Sequence, residues 1–301
     1  MKTKINLLKT FLNLKVGLEN FGVFDGKKVF CWCDGFYISV PLESGLDKTF
    51  ATNLKEFVRV ADGKDNLDFE LHEESESIKI KFKRTRFKIP SVSLEQTQEE
   101  LDLSDAKSID FANSNIFLDN LKKAEKFMAI KDIRNYLEGV SIKGSEMGAS
   151  NGCIAILIKD CGLDIGQNII IPRVAVEFLI KIKLTLKTIF FSEVNGKANR
   201  ISFQFENGEI FSSPLIDQSF PDLSSVVFIN EKLPVNELPQ EFFDALRELK
   251  AQDKGVGVRL SPTQIEIQEN VVNGTVEATV EIDLPGMIKD VGFRLEYLLT
   301  L

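Results

Sequence analysis

The chain has 301 residues, 44% of them hydrophobic and 27% charged, with 45 acidic side chains against 37 basic ones and a formal net charge of −8. That composition excludes a disordered chain, a collagen-like repeat, a disulfide scaffold and a uniformly basic nucleic-acid binder. At roughly 100–200 residues per domain the length predicts two or three domains. No apolar run reaches the roughly 18–20 residues that a membrane span needs, and Met1-Lys-Thr-Lys-Ile-Asn6 lacks the apolar core of a secretory signal. With four cysteines (Cys31, Cys33, Cys153 and Cys161), the expected setting is reducing and cytoplasmic.

In chain order, Cys31-Trp-Cys33 lies in an alternating pattern, which puts both cysteines on one face of a strand as packed thiols rather than metal ligands. Asn53 to Ala61 reads as an amphipathic helix with Leu54, Phe57, Val58 and Ala61 on one stripe. His72, the only histidine, sits in a polar turn-like stretch, which removes histidine acid/base chemistry and His-rich metal sites. Ser77 to Lys83 alternates as a strand. An acidic, polar connection follows from Leu94 to Asp105. Ser114 to Phe127 is a second helix, with Phe117, Leu121 and Ala124 inward; Arg173 to Lys183 is a third, with Val174, Phe178, Leu179 and Ile182. Arg200 to Glu206 alternates. Pro239 to Lys250 is a fourth helix, with Phe242, Leu246 and Leu249, and Thr263–Gln268 and Thr275–Ile282 are further strands. Asp62-Gly63, Asn195-Gly196, Asn207-Gly208 and Asn273-Gly274 mark turns. The period-2 segments with one polar face predict antiparallel sheets packed on one side.

These pieces recur in the same order. Phe57 answers to Phe178 (178 − 57 = 121), Phe82 to Phe205 (205 − 82 = 123) and Leu121 to Leu246 (246 − 121 = 125). The expectation is an α+β protein of three similar units, residues 1–93, 107–228 and 229–301. Cations fall off the apolar stripes: Lys55 and Arg59, Lys122 and Lys126, Arg173 and Lys181, Arg247 and Lys250. If successive units form an arc with these helices on its concave side, the result is a positive lining suited to duplex DNA. No phosphate loop, dinucleotide fingerprint or nucleophile elbow occurs. The pairs Glu73-Glu74 and Glu99-Glu100 read as solvated turns, so no catalytic residue, metal site or cofactor is expected.

Several segments in register resemble the bacterial DNA polymerase III beta subunit, the sliding clamp. They are Asn53-Leu-Lys-Glu-Phe57, Arg86-Phe-Lys-Ile-Pro90, Asp132-Ile-Arg-Asn-Tyr-Leu-Glu-Gly139, Ala149-Ser-Asn-Gly-Cys-Ile-Ala155, Ile170-Ile-Pro-Arg173, Ile216-Asp-Gln-Ser-Phe-Pro-Asp222, Gly257-Val-Arg-Leu260 and Val291-Gly-Phe-Arg-Leu-Glu-Tyr-Leu298. The resemblance implies a DNA-clamp fold of three repeated domains, with outer antiparallel sheets and inner helices. It implies a non-catalytic processivity subunit that encircles duplex DNA as a ring of two chains. Lys131, Arg134, Asn135 and Tyr136 occupy positions that resemble the family's DNA-contacting stretch; Asn135 replaces a common aromatic there. Arg173 resembles a basic residue at the start of an inner helix. Polymerase and clamp loader would insert short linear peptides into an apolar groove at Leu137, Ser150, Gly152, Cys153, Ile154, Ala155, Pro221, Ser225 and Val226. Cys153-Ile154-Ala155 stands where the family usually has His-Arg-Leu, which makes the groove less polar. Subunit joints would pair Arg86–Val92 of one chain with Glu277–Leu284 of the next. The family continues past the point matching Tyr297-Leu-Leu299, so the third domain is expected to be incomplete. The residues before Val23 do not align readily. A clamp-fold protein without ring closure, acting as a peptide-binding or regulatory module of replication, is the alternative function.

Overall fold

The computed structural model describes residues 2–14, 20–64, 67–72, 77–111, 114–225, 238–248, 256–271, 274–284 and 290–299. The chain divides into two compact units, Met1–Val227 and Phe228–Leu301.

The first unit opens with helix α1 (Lys2–Leu12), which buries Ile5, Leu7, Leu8 and Phe11. Four strands follow: β1 (Phe21–Phe24), β2 (Lys28–Cys33), β3 (Phe36–Pro41) and β4 (Phe50–Asn53). Helix α2 (Leu54–Ala61) is capped by Asn53, whose Oδ1 accepts from the Glu56 N–H at 3.1 Å. Then come β5 (Asp68–His72), β6 (Ser77–Phe82) and β7 (Thr85–Val92). The sequence repeats the plan with β8 (Lys107–Asp110), α3 (Ser114–Glu125), β9 (Gly139–Lys143), β10 (Glu146–Ser150), β11 (Ala155–Ile158), β12 (Asn168–Pro172), α4 (Arg173–Lys181), β13 (Leu186–Val194), β14 (Lys197–Phe205) and β15 (Ile210–Pro214). Asn195-Gly196 turns β13 into β14 with positive φ at both residues, 53° and 77°, as a tight hairpin requires. The second unit holds α5 (Gln240–Glu248), β16 (Gly257–Leu260), β17 (Gln264–Val271), β18 (Gly274–Glu281), β19 (Val291–Arg294) and α6 (Leu295–Leu298). The expected Asn273 turn lies outside the described residues.

The same strand order appears three times. β3-β2-β1-β4, β11-β10-β9-β12 and β18-β17-β16-β19 are each antiparallel, and each lies between two helices in sequence. The first of these belongs to an 11-stranded sheet, β5-β6-β7-β4-β1-β2-β3-β15-β14-β13-β8. Its two repeats meet where β15 pairs with β3, with Phe211 opposite Ile38. The α+β expectation therefore agrees with the structure, and residues 1–93 and 107–225 share one sheet.

Helices cover one face of these sheets, and the core lies between. α2 packs on α1, α1 on α4, and α4 on α3, as one continuous layer. At its centre Phe211 meets Phe178 at 4.1 Å, Phe36 at 6.3 Å, and Phe11 and Phe203 at 6.4 Å between ring centroids. Cys31 and Cys33 face this core from β2, as the alternation predicts. Burial raises both thiols, Cys33 to about 11, which leaves them protonated and unreactive. Trp32 points the other way, under the Arg200 guanidinium at 5.0 Å, and donates its indole N–H to the Glu99 carbonyl at 2.7 Å. The acidic connection is thereby strapped across the outer face, where Lys28 also pairs with Glu100 and Leu101 packs on Val23, Phe30 and Tyr37.

Candidate functional site

Two regions gather the residues singled out from the sequence. The first is a cavity of about 310 Å³ lined by Arg134, Tyr136, Leu137, Ser150, Gly152, Cys153, Ile154, Ala155, Pro221 and Leu223. Seven of the nine expected groove residues surround it. Ser225 sits on the following single turn (Leu223–Ser225) and is exposed, and Val226 lies outside the described residues. Arg134 and Tyr136, expected on a DNA-contacting stretch, line the same cavity. Leu223 was not singled out; its signal was an apolar residue just beyond Phe220-Pro221-Asp222.

Local hydrogen bonds shape the cavity. The β10–β11 turn is held by Asn151, whose Oδ1 accepts from the Cys153 and Ile154 N–H groups at 2.9 and 3.0 Å. The Ser150 hydroxyl donates to the Ile154 carbonyl at 2.8 Å and accepts from the Gly152 N–H at 3.0 Å. Gly152 has φ +86°, and a Cβ there would lie 2.6 Å from Nη2 of Arg134. Only glycine combines that backbone with so close a guanidinium. Leu223 is seated against Gly148, where a Cβ would come within 2.9 Å of its Cδ1. Tyr136 meets Phe220 edge to face at 6.5 Å, and its N–H donates to Oε1 of Gln218 at 3.1 Å.

Arg134 is fixed by Asp132: Nε to Oδ1 and Nη2 to Oδ2, both 2.9 Å, with the Arg134 N–H to Oδ1 at 2.8 Å. The side-chain bonds first, and then the backbone bond, hold the Asp132 carboxyl down to about 2 from its ordinary 3.8. A depressed carboxylate favours the folded state above its unfolded value and loses that contribution as pH falls towards 2. In an NMR titration the Asp132 carboxyl is expected to show a midpoint near 2. Arg134→Ala is expected to return it towards 3.8; an unmoved midpoint would remove the clasp from the account.

Next to this clasp the chain projects a tip. Ile133 is 98% exposed and Ile130 is 73% exposed, with Lys131 between them in the left-handed region at φ 55°. Asn135 is exposed at the start of the next turn.

The second region is the helix layer. Lys55, Arg59, Lys122, Lys126 and Lys181 are all exposed on it. Three are tethered within their own helices: Arg59 to Glu56 at 2.6 Å, Lys122 to Asp119 at 3.4 Å and Lys181 to Glu177 at 3.3 Å. Such exposed pairs are weak and release their cations at little cost. α1 adds Lys2 and Lys9, which sequence reasoning did not single out; Lys9 pairs with Asp62 at 2.6 Å.

Arg173 differs from these. Its side chain is only 17% exposed. It reaches the end of α3, where Nη2 donates to the Met128 and Ala129 carbonyls at 2.8 and 2.9 Å and Nε to Ala129 at 3.1 Å. Glu125 and Glu177 flank it at 3.6 and 3.4 Å. Its donors serve the α3–α4 contact. Arg173→Ala is expected to cost about 2–3 kcal/mol, measured by urea denaturation, because carbonyls and carboxylates lose a charged partner. A change within about 0.5 kcal/mol would contradict this assignment.

Among the described residues no group of three His, Cys, Asp or Glu side chains is placed to hold a metal ion, and no helix is long and apolar enough to cross a membrane.

No protein-family model matches the chain, and no curated protein sequence does. Solved structures do. A DNA polymerase sliding clamp from Bacillus subtilis is similar at TM-score 0.74 and 17% identity, covering 99% of this chain and 86% of that one. A putative DNA polymerase III beta subunit from Eubacterium rectale gives TM-score 0.76 and 15% identity, with 99% and 86% covered. A Helicobacter pylori beta clamp bound to a DNA ligase peptide gives 0.73 and 17%, with 98% and 87% covered. At these identities the likeness establishes the fold: the chain has the α+β fold of bacterial sliding clamps.

Proposed function

We propose that this chain is a DNA sliding clamp. It is a non-catalytic processivity factor that closes as a homodimeric ring around duplex DNA in the cytoplasm and tethers the replicative polymerase. The observation that carries this reading is the thrice-repeated strand order together with the β3·β15 joint. β7 ends the first β-meander as β15 ends the second, and β18 ends its sheet as β3 does. Beyond β6, β7 is paired only at Ser91 and Val92, and β18 only with β17, among the described residues. The open edges match in charge: Arg86 and Lys88 on β7, Glu277 and Glu281 on β18. β7 of one copy on β18 of the next repeats, between chains, the joint made within the chain, and two such joints close a ring.

Phosphate contacts from Lys55, Arg59, Lys122, Lys126, Lys131 and Lys181, with Lys2 and Lys9, supply sequence-independent, salt-screened affinity. Arg134, Asn135 and Tyr136 extend it at the projecting tip. Arg173 supports this surface by holding α4 to α3. The apolar cavity receives short peptides of the polymerase and clamp loader; the Helicobacter pylori clamp with its bound ligase peptide is consistent with that role.

The test combines light scattering after size exclusion with retention on DNA. A dimer that stays on nicked circular DNA and slides off the linear form supports the ring. A monomer without topological retention replaces it with a clamp-fold module that binds peptides without encircling DNA.

A further inference from the structure

The outer faces of the three equivalent sheets differ at one place. The sheets align at a constant offset (141 − 23 = 118 and 259 − 141 = 118), and register sets the middle pair of each outer face. Val23 stands opposite Phe30, Ser141 opposite Gly148 and Arg259 opposite Glu266. In the first sheet Val23 and Phe30 are buried with Leu101. In the third, Arg259 and Glu266 pair at 3.6 Å. The second sheet carries two small residues there. Its flanking positions are large instead: Ile170 beside Ser141 and Leu157 beside Gly148 make the row a trough with apolar walls. Segment 216–223 crosses that trough. The Ile216 N–H donates to the Ile170 carbonyl at 3.0 Å, and Leu223 is seated against Gly148. A cavity of about 210 Å³ remains between sheet and segment, and every residue that lines it belongs to the first unit.

Charge stands at one end of the cavity. The next outward pair is Lys143 and Glu146, directly opposed across the β9–β10 ladder. The equivalent residues of the first sheet, Asp25 and Lys28 (143 − 118 = 25 and 146 − 118 = 28), carry the opposite charges and pair at 3.9 Å. Lys143 and Glu146 form no ion pair among the described residues, although unlike charges so placed ordinarily attract. The cavity's other charges are engaged. Lys197 pairs with Asp217, and Asp222 accepts from the Ser224 N–H and hydroxyl at 3.2 and 2.7 Å. Asn168, opposite Lys143 on β12, adds an amide at the same end.

We propose that the trough binds a free α-amino acid with an apolar side chain. Its carboxylate meets Lys143 and the Asn168 amide, its ammonium meets Glu146, and its side chain lies over Ser141 between Ile170 and Leu157. A ligand of both charges joins a lysine and a glutamate that do not join each other, and a few polar groups at the end of an apolar floor fix its orientation. The site goes beyond the clamp reading and depends on neither ring closure nor DNA.

The test is calorimetric titration of the full chain with L-leucine, N-acetyl-leucine, leucinamide and glycine. Saturable binding of leucine is expected, with each of the other three weaker by about tenfold or more. Lys143→Gln and Glu146→Gln are each expected to weaken leucine about tenfold. Ser141→Val refills the floor with the residue of the first repeat, suits a strand, and is expected to weaken leucine about tenfold at an unchanged Tm. If leucine does not bind saturably, the site is overturned. Blocked analogues that bind as leucine does, or binding indifferent to Lys143→Gln and Glu146→Gln, overturn the two-charge recognition. Glycine binding as well as leucine, or binding indifferent to Ser141→Val, overturns the apolar floor.

Discussion

Reversing Arg86 and Lys88 to glutamate is expected to convert the dimer into monomers and to end retention on circular DNA. On β7 these cations stand directly opposite their like, Arg86 facing Lys81 and Lys88 facing Lys79 across the ladder to β6. Like charges in such register oppose each other, at roughly 0.2–1 kcal/mol per pair. An acidic strand beside β7 turns that repulsion into attraction, and β18 offers Glu277 and Glu281. With two joints per ring, reversal changes the sign of about four pairs, or about 2–8 kcal/mol. The dimerisation constant then falls by about 30-fold or more. The complementary change, Glu277→Lys with Glu281→Lys, is expected to restore the dimer only when both sets are combined. A reversed variant that remains dimeric would place the joint elsewhere.

The second large effect lies inside the chain. Phe211→Ala removes the ring on which the two halves of the 11-stranded sheet converge. It is fully buried, on a strand from one repeat, and in contact with Phe11 and Phe36 from the other. A buried Phe→Ala change costs about 3–5 kcal/mol. In a unit of this size that is a fall in Tm of about 6–20 °C by calorimetry. The exposed ring of Phe293 serves as the contrast; its loss is expected to stay within about 0.5 kcal/mol. A small effect at Phe211 would mean that the repeats are held together by backbone pairing alone.

Much of the fold was legible because local rules and the global fold agree. The apolar stripes of α2, α3, α4 and α5 obey helical spacing, and the observed helices keep to those bounds within two residues or so. The paired thiols of β2 followed from period-2 alternation. α1 is weakly marked in the sequence although Ile5, Leu8, Phe11 and Leu12 stand at helical intervals: its first turn, Lys2-Thr3-Lys4, is polar, and only three of the four are fully buried. The β3·β15 joint was illegible for a different reason: it pairs residues far apart in the chain, and nothing local to either strand names its partner. Arg173 shows the same limit at a single side chain. At the start of an amphipathic helix it reads as a free cation, but the carbonyls that absorb it belong to Met128 and Ala129, and only folding brings them near. The cavity residues were legible as a group through the family resemblance. That Arg134 joins them depends on Asp132 and on the bare backbone of Gly152, a three-body fit that no spacing rule encodes.

The shared sheet has a consequence for biosynthesis. Ile38 leaves the ribosome well before the strand that will flank it, since its partner Phe211 is 173 positions later (211 − 38). At about 5–20 residues per second that interval lasts roughly 10–35 s. Throughout it, a nascent chain with a finished first repeat displays an unsatisfied β3, so the period of greatest danger from aggregation or chaperone capture falls midway through translation.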